Sequence, residues 1–473
     1  MLRFVDVDQA TPDKRAAEQR RSDFGEIYRN YAQERAAEQA ARCSQCGVPF
    51  CQVHCPLNNH IPDWLMLCAE DRLEEAYRLS AQTNPMPEIC GRICPQDRLC
   101  EGNCVIEKGF GSVTIGAVEQ YLTETAFQQG WVEPIRPRRE RPGSIGIIGA
   151  GPGGLAAAEG LRKRGFQVDV YDRYDRIGGL LVYGIPNFKL DKQVVQRRAD
   201  RLIDGGIRFH LNTEVGRDIS FEAVRASHDA VIVATGAYQA RDLKVPGIGL
   251  TNVLPAMRYL TASNRHGLGD AVPDLANGSL NAAGKRVVVI GGGDTAMDCV
   301  RTAVRQGADA VTCLYRRDRA NMPGSAREVA NAEEEGVVFS WLSAPEALLG
   351  DDKVEAVRVR PMRLGAADAT GRKAPQPVPG PAETVPADMV ILALGFDPED
   401  LPGRFGTADL AIQRWGTLKV DHGTQMTSLP GVFAVGDIVR GASLVVWAVR
   451  DGRDVVDQVQ RYLAAKAPAR AAA

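Results

Sequence analysis

The chain has 473 residues, of which 44% are hydrophobic and 25% charged, the composition of a soluble globular protein with room for about three domains. Lysine and arginine (57) nearly balance aspartate and glutamate (59), so no net positive field favours nucleic acid or an anionic membrane surface. The sequence has no secretory signal and no run near the roughly 20 apolar residues of a membrane span. These features predict a cytoplasmic protein without a nucleic-acid or membrane partner.

The N-terminal region reads as helix and loop. Residues 12 to about 42, with Phe24, Ile27, Tyr28 and Tyr31 at helical spacing, predict one amphipathic helix whose apolar stripe packs on its own domain or on a partner chain. A second helix is predicted from about 62 to 84, with Cys68 as a core residue, and a short one over 116–130. Residues 133–143 have the proline and charge content of a linker.

Nine of the eleven cysteines lie between Cys43 and Cys104. Their spacing is C-x2-C-x4-C-x3-C-P followed by C-x3-C-P-x4-C-x3-C, at Cys43, Cys46, Cys51, Cys55, Cys90, Cys94, Cys100 and Cys104. Bacterial ferredoxins use a related run in which the last cysteine of a group ligates the other cluster, so these eight thiolates suit two four-iron clusters. Zinc is the main alternative, although it favours paired C-x2-C knuckles, and disulfides are disfavoured in a reducing compartment.

Beyond residue 143 the pattern changes to alternating strands and helices, which is typical of a parallel sheet. The segments "SIGIIGAGPGGLAAAEGLRKRGFQVDVYD" and "KRVVVIGGGDTAMDCVRTAVRQGADAVTCLYRR" each predict a strand, a glycine turn, a helix and a strand. Two dinucleotide folds on one chain follow from this repeat. Residues 366–382 predict an exposed loop, and residues 464–473 a frayed end.

The first unit carries G-x-G-x-x-G at Gly149, Gly151 and Gly154, at the start of a helix. The first glycine makes the turn, the second lets the backbone approach a pyrophosphate, and the third allows close helix packing. Asp172 ends the following strand, where a carboxylate accepts hydrogen bonds from a ribose with free hydroxyls. Both NAD and FAD present such a ribose.

The second unit carries G-x-G-x-x-A at Gly291, Gly293 and Ala296, and its second strand ends in Arg316 and Arg317. Guanidinium groups at this place bind a 2′-phosphate, so the second site is predicted to prefer NADPH. The alternative is two solvated arginines at a strand end.

The segment "TSLPGVFAVGDIVRGASLVVWAVRDGR" resembles the closing segment of two-dinucleotide flavoprotein reductases. In that family the aspartate of the Gly-Asp pair holds the ribityl chain, and the next helix, here starting near 442–444, points its N-terminus at the flavin ring. Segments 234–236 and 393–396 resemble the family's interdomain crossings, and 177–190 its flavin-covering segment. The resemblance implies FAD in the first unit and NADPH in the second. Disulfide reductases of this architecture carry a redox-active C-x-x-C or C-x4-C facing the flavin, and this chain has no cysteine between Cys104 and Cys299 to supply one.

Together with "CGRICP", "GAGPGGLAAA", "DRIGGLLVYGIPNFKL" and "GGGDTAMDC", these motifs resemble the small (beta) subunits of NADPH-dependent glutamate synthases and the N-terminal half of dihydropyrimidine dehydrogenase. The implied fold is α/β, with two Rossmann-like dinucleotide-binding domains of the two-dinucleotide flavoprotein reductase type behind a mostly α-helical iron-sulfur domain. The implied domains are 1–142 (iron-sulfur), 143–250 with 406–473 (FAD) and 251–405 (NADPH).

The resemblance also carries residue roles onto this chain. The cluster ligands would be Cys43, Cys46, Cys51 and Cys104 for one cluster, and Cys55, Cys94, Cys100 and Gln120 for the other, with Glu119 and Cys90 as rivals of Gln120. The FAD contacts would be Gly149, Gly151, Gly154, Asp172, Gly179, Leu180, Gly236, Gly436, Asp437, Ser443 and Leu444. The NADPH contacts would be Gly291, Gly293, Asp294, Thr295, Ala296, Arg316 and Arg317.

The implied activity is transfer of electrons from NADPH through FAD and two 4Fe-4S clusters to a large (alpha) subunit with its own FMN and iron-sulfur cluster. That partner would form L-glutamate from L-glutamine and 2-oxoglutarate. Two alternatives stay open: the electron-input subunit of another oxidoreductase, of pyrimidine reductase or NADPH:ferredoxin type, and a flavin reductase with a zinc-stabilised interaction domain.

Overall fold

The computed structural model describes residues 1–368, 371 and 373–470, without the side chains of residues 467–470. Its N-terminal region is built of short helices and loops packed around Trp64, Leu65, Val118 and Leu122, all fully buried. The helices are α1 (Ala17–Arg21), α2 (Gln33–Ala40), α3 (Phe50–Val53), α4 (Ile61–Ala69), α5 (Leu73–Thr83), α6 (Pro87–Ile93), α7 (Glu107–Phe110) and α8 (Ile115–Gln128). The predicted helix over 116–130 is therefore confirmed as α8.

The single helix predicted over residues 12–42 is wrong. The chain forms α1 and α2, and between them Asp23 accepts a hydrogen bond from the Gly25 amide in a local turn at 2.8 Å. Such a turn competes with helical hydrogen bonding. Ile27 and Tyr31 are buried within this chain, so the apolar side chains pack on their own protein.

The second predicted helix is two helices, α4 and α5. The chain turns between them at Asp71, whose φ of 60° is left-handed. Cys68 lies in α4 with 1% exposure, which confirms it as a core residue.

The first dinucleotide unit contains a five-stranded parallel sheet in the order β16-β4-β1-β2-β3. Strand β16 comes from the C-terminal part of the chain, whereas the other four strands come from residues 144–233, so the sheet is assembled from two chain segments. Its elements are β1 (Ser144–Ile148), α9 (Pro152–Lys163), β2 (Gln167–Tyr171), α10 (Leu180–Tyr183), α11 (Lys192–Asp204), β3 (Arg208–His210), α12 (Phe221–Ser227), β4 (Ala230–Val233), then α17 (Leu401–Phe405), β16 (Val432–Ala434), α18 (Asp437–Arg440) and α19 (Val445–Arg470).

The second unit repeats this plan with the parallel order β6-β14-β7-β8-β9. Its elements are β6 (Val253–Pro255), α13 (Ala256–Gly267), α14 (Pro273–Ala276), β7 (Arg286–Ile290), α15 (Asp294–Arg305), β8 (Ala310–Tyr315), α16 (Ala326–Glu334), β9 (Val338–Trp341) and β14 (Met389–Leu392). An antiparallel sheet is inserted before β14, formed by β10 (Ser343–Leu349), β11 (Ala356–Ala367), β12 (Lys373–Pro377) and β13 (Glu383–Pro386).

Two short strands, β5 (Gln239–Ala240) and β15 (Phe396–Asp397), pair antiparallel where the chain passes between the two units. Both belong to segments that follow the predicted crossings.

Two loop predictions need correction. The loop predicted over 366–382 contains the end of β11 and all of β12, which pair antiparallel from Met362↔Pro377 onward, while residues 369, 370 and 372 lie outside the described residues. Helix α19 extends to Arg470 where fraying was predicted, and residues 471–473 lie outside the described part. Among the helices that are described, none is both long and apolar enough to span a bilayer.

Candidate cofactor sites

The glycine turn of the first unit leaves no room for side chains where the chain packs. A Cβ at Gly149, whose φ is 112°, would lie 2.3 Å from the carbonyl oxygen of Ala234, and one at Gly154 would lie 2.0 Å from that of Gly149. A Cβ at Gly151 would meet nothing within 4 Å. The turn is therefore closed toward the protein and open at the N-terminus of α9, where backbone N–H groups favour a phosphate.

A cavity lies beside this turn and is lined by Asp172, Thr213 and Thr235 among others. The Asp172 carboxylate accepts hydrogen bonds from the amides of Ala150 at 2.6 Å and Tyr174 at 2.8 Å. Burial raises the pKa of Asp172. The Thr235 hydroxyl is buried and has no hydrogen-bond partner. These polar groups fit a ligand that brings its own hydroxyls.

Sequence reasoning missed Arg173 in the same cavity. Its guanidinium lies 3.0 Å from Glu399 and 4.6 Å from the ring centroid of Tyr238. Glu399 follows the second crossing segment (393–396), so this ion pair joins the cavity to the chain that returns from the second unit. Arg173 could not be singled out from the sequence, because an arginine that follows a strand-ending carboxylate has no fixed role in this kind of site.

The turn of the second unit has the same construction. A Cβ at Gly291, whose φ is 154°, would lie 2.3 Å from the Ala393 carbonyl oxygen, whereas one at Gly293 would meet nothing within 4 Å. Ala296 is fully buried in α15. In both units the first glycine touches the crossing segment, a contact that the G-x-G spacing alone did not reveal.

Arg316 and Arg317 follow β8, and within the described residues neither forms an ion pair. Arg316 is exposed, while the Nε atom of Arg317 is buried without a hydrogen-bond partner. An unpaired buried donor is costly, and an anionic group on a bound nucleotide would satisfy it. The residues present thus fit a 2′-phosphate.

A cavity, here called the central cavity, lies where the two units and the N-terminal region meet. Each region contributes predicted site residues to its lining, including Leu180, Asp437, Ser443, Leu444, Asp294, Thr295 and Cys94. Ser443 donates a hydrogen bond to Asp437 at 2.6 Å, and burial raises the pKa of Asp437 to about 6. Helix α19 begins at Val445, next to this cavity, as predicted for a helix that points at a flavin ring.

Lys189 also lines the central cavity. Its Nζ atom lies 2.8 Å from the Asp298 carboxylate and 3.7 Å from the Glu328 carboxylate. Despite burial, these carboxylates raise the pKa of Lys189 above its usual range. Lys189 therefore brings a fixed positive charge to the wall of the cavity.

The thiols of the N-terminal region fall into two groups. Cys43, Cys46, Cys51 and Cys104, here called the outer set, lie within electrostatic range of one another. Burial raises the pKa of Cys51 to about 12, and the charges of Cys104, Cys43 and Cys46 add to the shift. Buried thiols with raised pKa values ionise readily only beside a cation. Within the described residues no three metal-ligating side chains lie close enough together to hold a metal ion, so the spacing of the cysteines along the chain carries the cluster assignment.

The second group lines a small cavity with mainly apolar walls, here called the inner cavity. Cys55, Cys94 and Cys100 contribute thiols, and Glu119 contributes a carboxylate. These four residues are called the inner set. Burial raises the pKa of Cys55 to about 11 and that of Glu119 to about 8. Cys94 lines both this cavity and the central one.

Gln120, the ligand carried over from the resemblance, lies outside the inner cavity in the structure, whereas its rival Glu119 lines it. The side-chain amide of Gln120 donates a hydrogen bond to Asn30 at 2.9 Å. Neighbouring residues on a helix project about 100° apart, so only one of Glu119 and Gln120 can face the thiols from α8. Glu119 does so, with its carboxylate accepting a hydrogen bond from Asn84 at 3.0 Å.

Cys90 is buried at the wall of both cavities, and its sulfur lies 3.6 Å from the Asn84 side-chain oxygen. A thiol that donates this bond is protonated. Cys299 and Cys313 are fully buried in α15 and β8 as predicted core residues, and all eleven cysteines are free of disulfides.

Comparison with known proteins assigns the two parts of the chain. Residues 20–131 match the family described as dihydropyrimidine dehydrogenase domain II, 4Fe-4S cluster, and residues 143–452 match pyridine nucleotide-disulphide oxidoreductase. The chain is 64% identical to the glutamate synthase [NADPH] small chain of Azospirillum brasilense over 99% of its length and 98% of that protein's. It belongs to the glutamate synthase small-chain family.

Another relative, the glutamate synthase [NADPH] small chain of Escherichia coli K12, is 43% identical over 98% of this chain and 99% of its own. The fold resembles that of FprA from Mycobacterium tuberculosis, solved in complex with NADPH, with a TM-score of 0.58 and 23% identity over 70% of this chain and 86% of the other. The family match of the N-terminal region favours iron-sulfur chemistry over the zinc alternative.

Proposed function

We propose that this chain oxidises NADPH at the second unit and delivers the electrons through FAD and two 4Fe-4S clusters to the large subunit of a glutamate synthase. The observation that carries the proposal is the central cavity, because residues of both nucleotide units and Cys94 open onto it. FAD would accept a hydride and release single electrons, which is the cofactor's own chemistry. The chain supplies binding, orientation and charge.

The FAD contacts proposed from sequence fall on two cavities. Asp172 lies at the ribose end, and Leu180, Asp437, Ser443 and Leu444 lie at the central cavity. Asp294 and Thr295 reach the central cavity from the N-terminus of α15. This arrangement supports a nicotinamide stacked near the flavin ring, with Arg316 and Arg317 at the far, phosphate-bearing end. We propose domains 1–142, 143–250 with 406–473, and 251–405 for these three roles, except that α17 (Leu401–Phe405) packs with the first unit and so belongs to the FAD domain.

For the clusters we propose the outer set as one ligand group and the inner set, with Glu119 in place of Gln120, as the other. The inner set shares Cys94 with the central cavity, so electrons would leave the flavin through it first. The outer set would then pass them on. The thiols of Cys90 and Cys94 both line the central cavity, and we propose that Cys94 binds a cluster rather than forming a redox-active disulfide with Cys90, because the N-terminal region matches a 4Fe-4S family.

The surface around the outer set supports electron transfer from the inner set to the outer set and then to another protein. Of the twelve large apolar side chains exposed in the described residues, seven lie within the first 110 positions. Five of them adjoin the outer set along the chain or through a backbone contact and are called the outer face: Leu2, Val48, Phe50, Val53 and Val105. Exposed apolar groups of this density mark a protein contact, so the large subunit would dock here.

Electrons delivered there would let a large subunit with its own FMN and iron-sulfur cluster form L-glutamate from L-glutamine and 2-oxoglutarate. The test is anaerobic titration of the isolated chain with NADPH, followed by absorption and electron paramagnetic resonance. We expect flavin bleaching, then signals of reduced clusters, and about eight iron atoms per chain. A preparation that binds flavin but holds zinc and no iron would refute the proposal, and equal response to NADH would refute the role of Arg316 and Arg317.

A further inference from the structure

Helix α16 of the second unit is held at its N-terminal end by the loop between two inner-set cysteines. The N-cap residue Ser325 makes no capping hydrogen bond with its own side chain. Instead the carboxylate of Asp97, which lies between Cys94 and Cys100, accepts hydrogen bonds from the Ala326 amide at 3.0 Å and from the Ser325 hydroxyl at 3.2 Å. An acceptor from a distant part of the chain thus caps this helix.

Arg98 strengthens the same contact by donating a hydrogen bond to the carbonyl oxygen of Pro323. Two adjacent residues of the cysteine loop therefore hold the four-residue stretch 323–326. A carboxylate at a helix N-terminus also interacts favourably with the helix dipole.

The far end of α16 is held by the N-terminal segment. Lys14 and Arg20 each lie 2.6 Å from the carboxylate of Glu334, and Lys14 also donates a hydrogen bond to Asn331 at 3.2 Å. Arg20 is 1% exposed. Both ends of the helix are therefore bonded to the iron-sulfur region rather than only to their own unit.

The stretch before α16 is bonded in turn to the NADPH turn. The Gly324 amide donates to the Gly292 carbonyl oxygen at 2.9 Å, and the Ser325 amide donates to the Asp294 carboxylate at 3.0 Å. Asp294 opens α15 and lines the central cavity. A continuous path of hydrogen bonds thus runs from the cysteine loop through residues 323–326 to the turn that would hold NADPH.

We infer that Asp97 is a positioning residue. Through the contact of Asp97 and Arg98 with residues 323–326, here called the brace, the iron-sulfur region fixes the position of α16 and of the NADPH unit relative to the flavin. The two nucleotide units are also joined directly by the β5–β15 pair and by ion pairs such as Arg176–Asp270 and Lys189–Asp298, so the Asp97 contact adds to these links from a third region of the chain. Hydride transfer is sensitive to misplacement of the reacting atoms, so loss of the hydrogen bonds of the brace is expected to slow hydride transfer. Electron transfer out of the flavin does not need the NADPH unit and stays unchanged.

This inference rests on the proposed function, and stopped-flow kinetics on the complete, cofactor-loaded chain tests it. In Asp97→Ala with Arg98→Ala, the rate of flavin reduction by NADPH is expected to fall about fivefold to tenfold, the effect of losing a cap and a second bond. Reoxidation of the dithionite-reduced chain by a one-electron dye is expected to be unchanged. Asp97→Asn retains an acceptor for the Ala326 amide and is expected to recover most of the rate.

The matched control is Asp63→Ala, which removes an exposed carboxylate of α4 that has no bond to α16 among the described residues. Unchanged flavin reduction in the double variant would overturn the brace, as would an equal fall in both half-reactions or an Asp97→Asn variant no better than Asp97→Ala. If NADPH fails to reduce the flavin of the unmodified chain, the proposed function itself is wrong, so the two failures are distinguishable.

Discussion

The outer and inner sets contain similar thiols in different surroundings. The outer set has four cysteines beside exposed apolar side chains, whereas the inner set has three cysteines and Glu119 around a cavity that adjoins the flavin site. The outer set also has polar neighbours: the Ser44 hydroxyl lies 2.9 Å from the Cys46 sulfur, and the Gln45 side-chain amide donates a hydrogen bond to the Cys43 sulfur at 3.4 Å. Ligand type and hydrogen bonds to sulfur set cluster potentials, so the two sets are built for different steps.

The sharpest test of this difference removes one thiol from each set. In Cys100→Ser the inner cluster is lost, and NADPH is expected to reduce the flavin while the outer cluster stays oxidised. In Cys46→Ser the inner cluster is expected to be reduced, and only transfer to the large subunit is abolished. Electron paramagnetic resonance of anaerobic samples checks both variants. The opposite pattern would reverse the order of the two sets.

The next largest effect concerns the outer face. Val48→Asp with Val53→Asp would bury two carboxylates on docking, which is expected to weaken binding of the large subunit by about 10- to 100-fold, or roughly 1.4 to 2.8 kcal/mol. Flavin reduction by NADPH is expected to be unchanged. Titration of the labelled large subunit measures the affinity.

The control for the outer face is Val338→Asp, because Val338 is 63% exposed on β9 of the second nucleotide unit, away from the outer set. Equal weakening by the control, or no weakening by the double variant, would exclude the outer face as the docking surface.

A third prediction distinguishes Glu119 from Gln120, its neighbour on α8, as the fourth ligand of the inner cluster. Glu119→Ala is expected to reduce iron retention by about 10- to 100-fold, as for loss of a metal-site partner, and to change the resonance spectrum of one cluster only. Gln120→Ala removes a side chain bonded to Asn30 and is expected to leave iron content unchanged. Iron analysis after anaerobic dialysis distinguishes them, and the reverse result would restore Gln120 as the ligand.

The smallest effect is expected at Cys90. Cys90→Ala removes a buried thiol that contacts Asn84, at a cost of about 1 kcal/mol in unfolding free energy and with no loss of iron. Thermal unfolding and iron analysis measure the two quantities. Loss of a cluster in this variant would show that Cys90, and not Glu119, completes the inner set.

Local patterns predicted the nucleotide units well. The glycine turns, the strand-ending Asp172 and the start of α19 follow from short motifs whose geometry is set by backbone sterics. The N-terminal helices were less predictable, because the Asp23–Gly25 turn and the left-handed Asp71 interrupt stretches of good helical periodicity.

The choice between Glu119 and Gln120 could not be made from spacing either. Adjacent residues differ only in helical phase, and that phase is set by how α8 packs on α6. The brace at Asp97 joins residues more than 220 positions apart and leaves no local signal.

The return of β16 to the first sheet has a consequence for biosynthesis. Strand Val432–Ala434 pairs with Ala230–Val233, and α19 packs on α9, so the flavin unit acquires its edge strand and one covering helix only when the last tenth of the chain has left the ribosome. The intervening NADPH unit is contiguous and can fold earlier during translation. The nascent chain thus passes through a stage in which one nucleotide unit is complete and the other still exposes the apolar edge of β4 to chaperones.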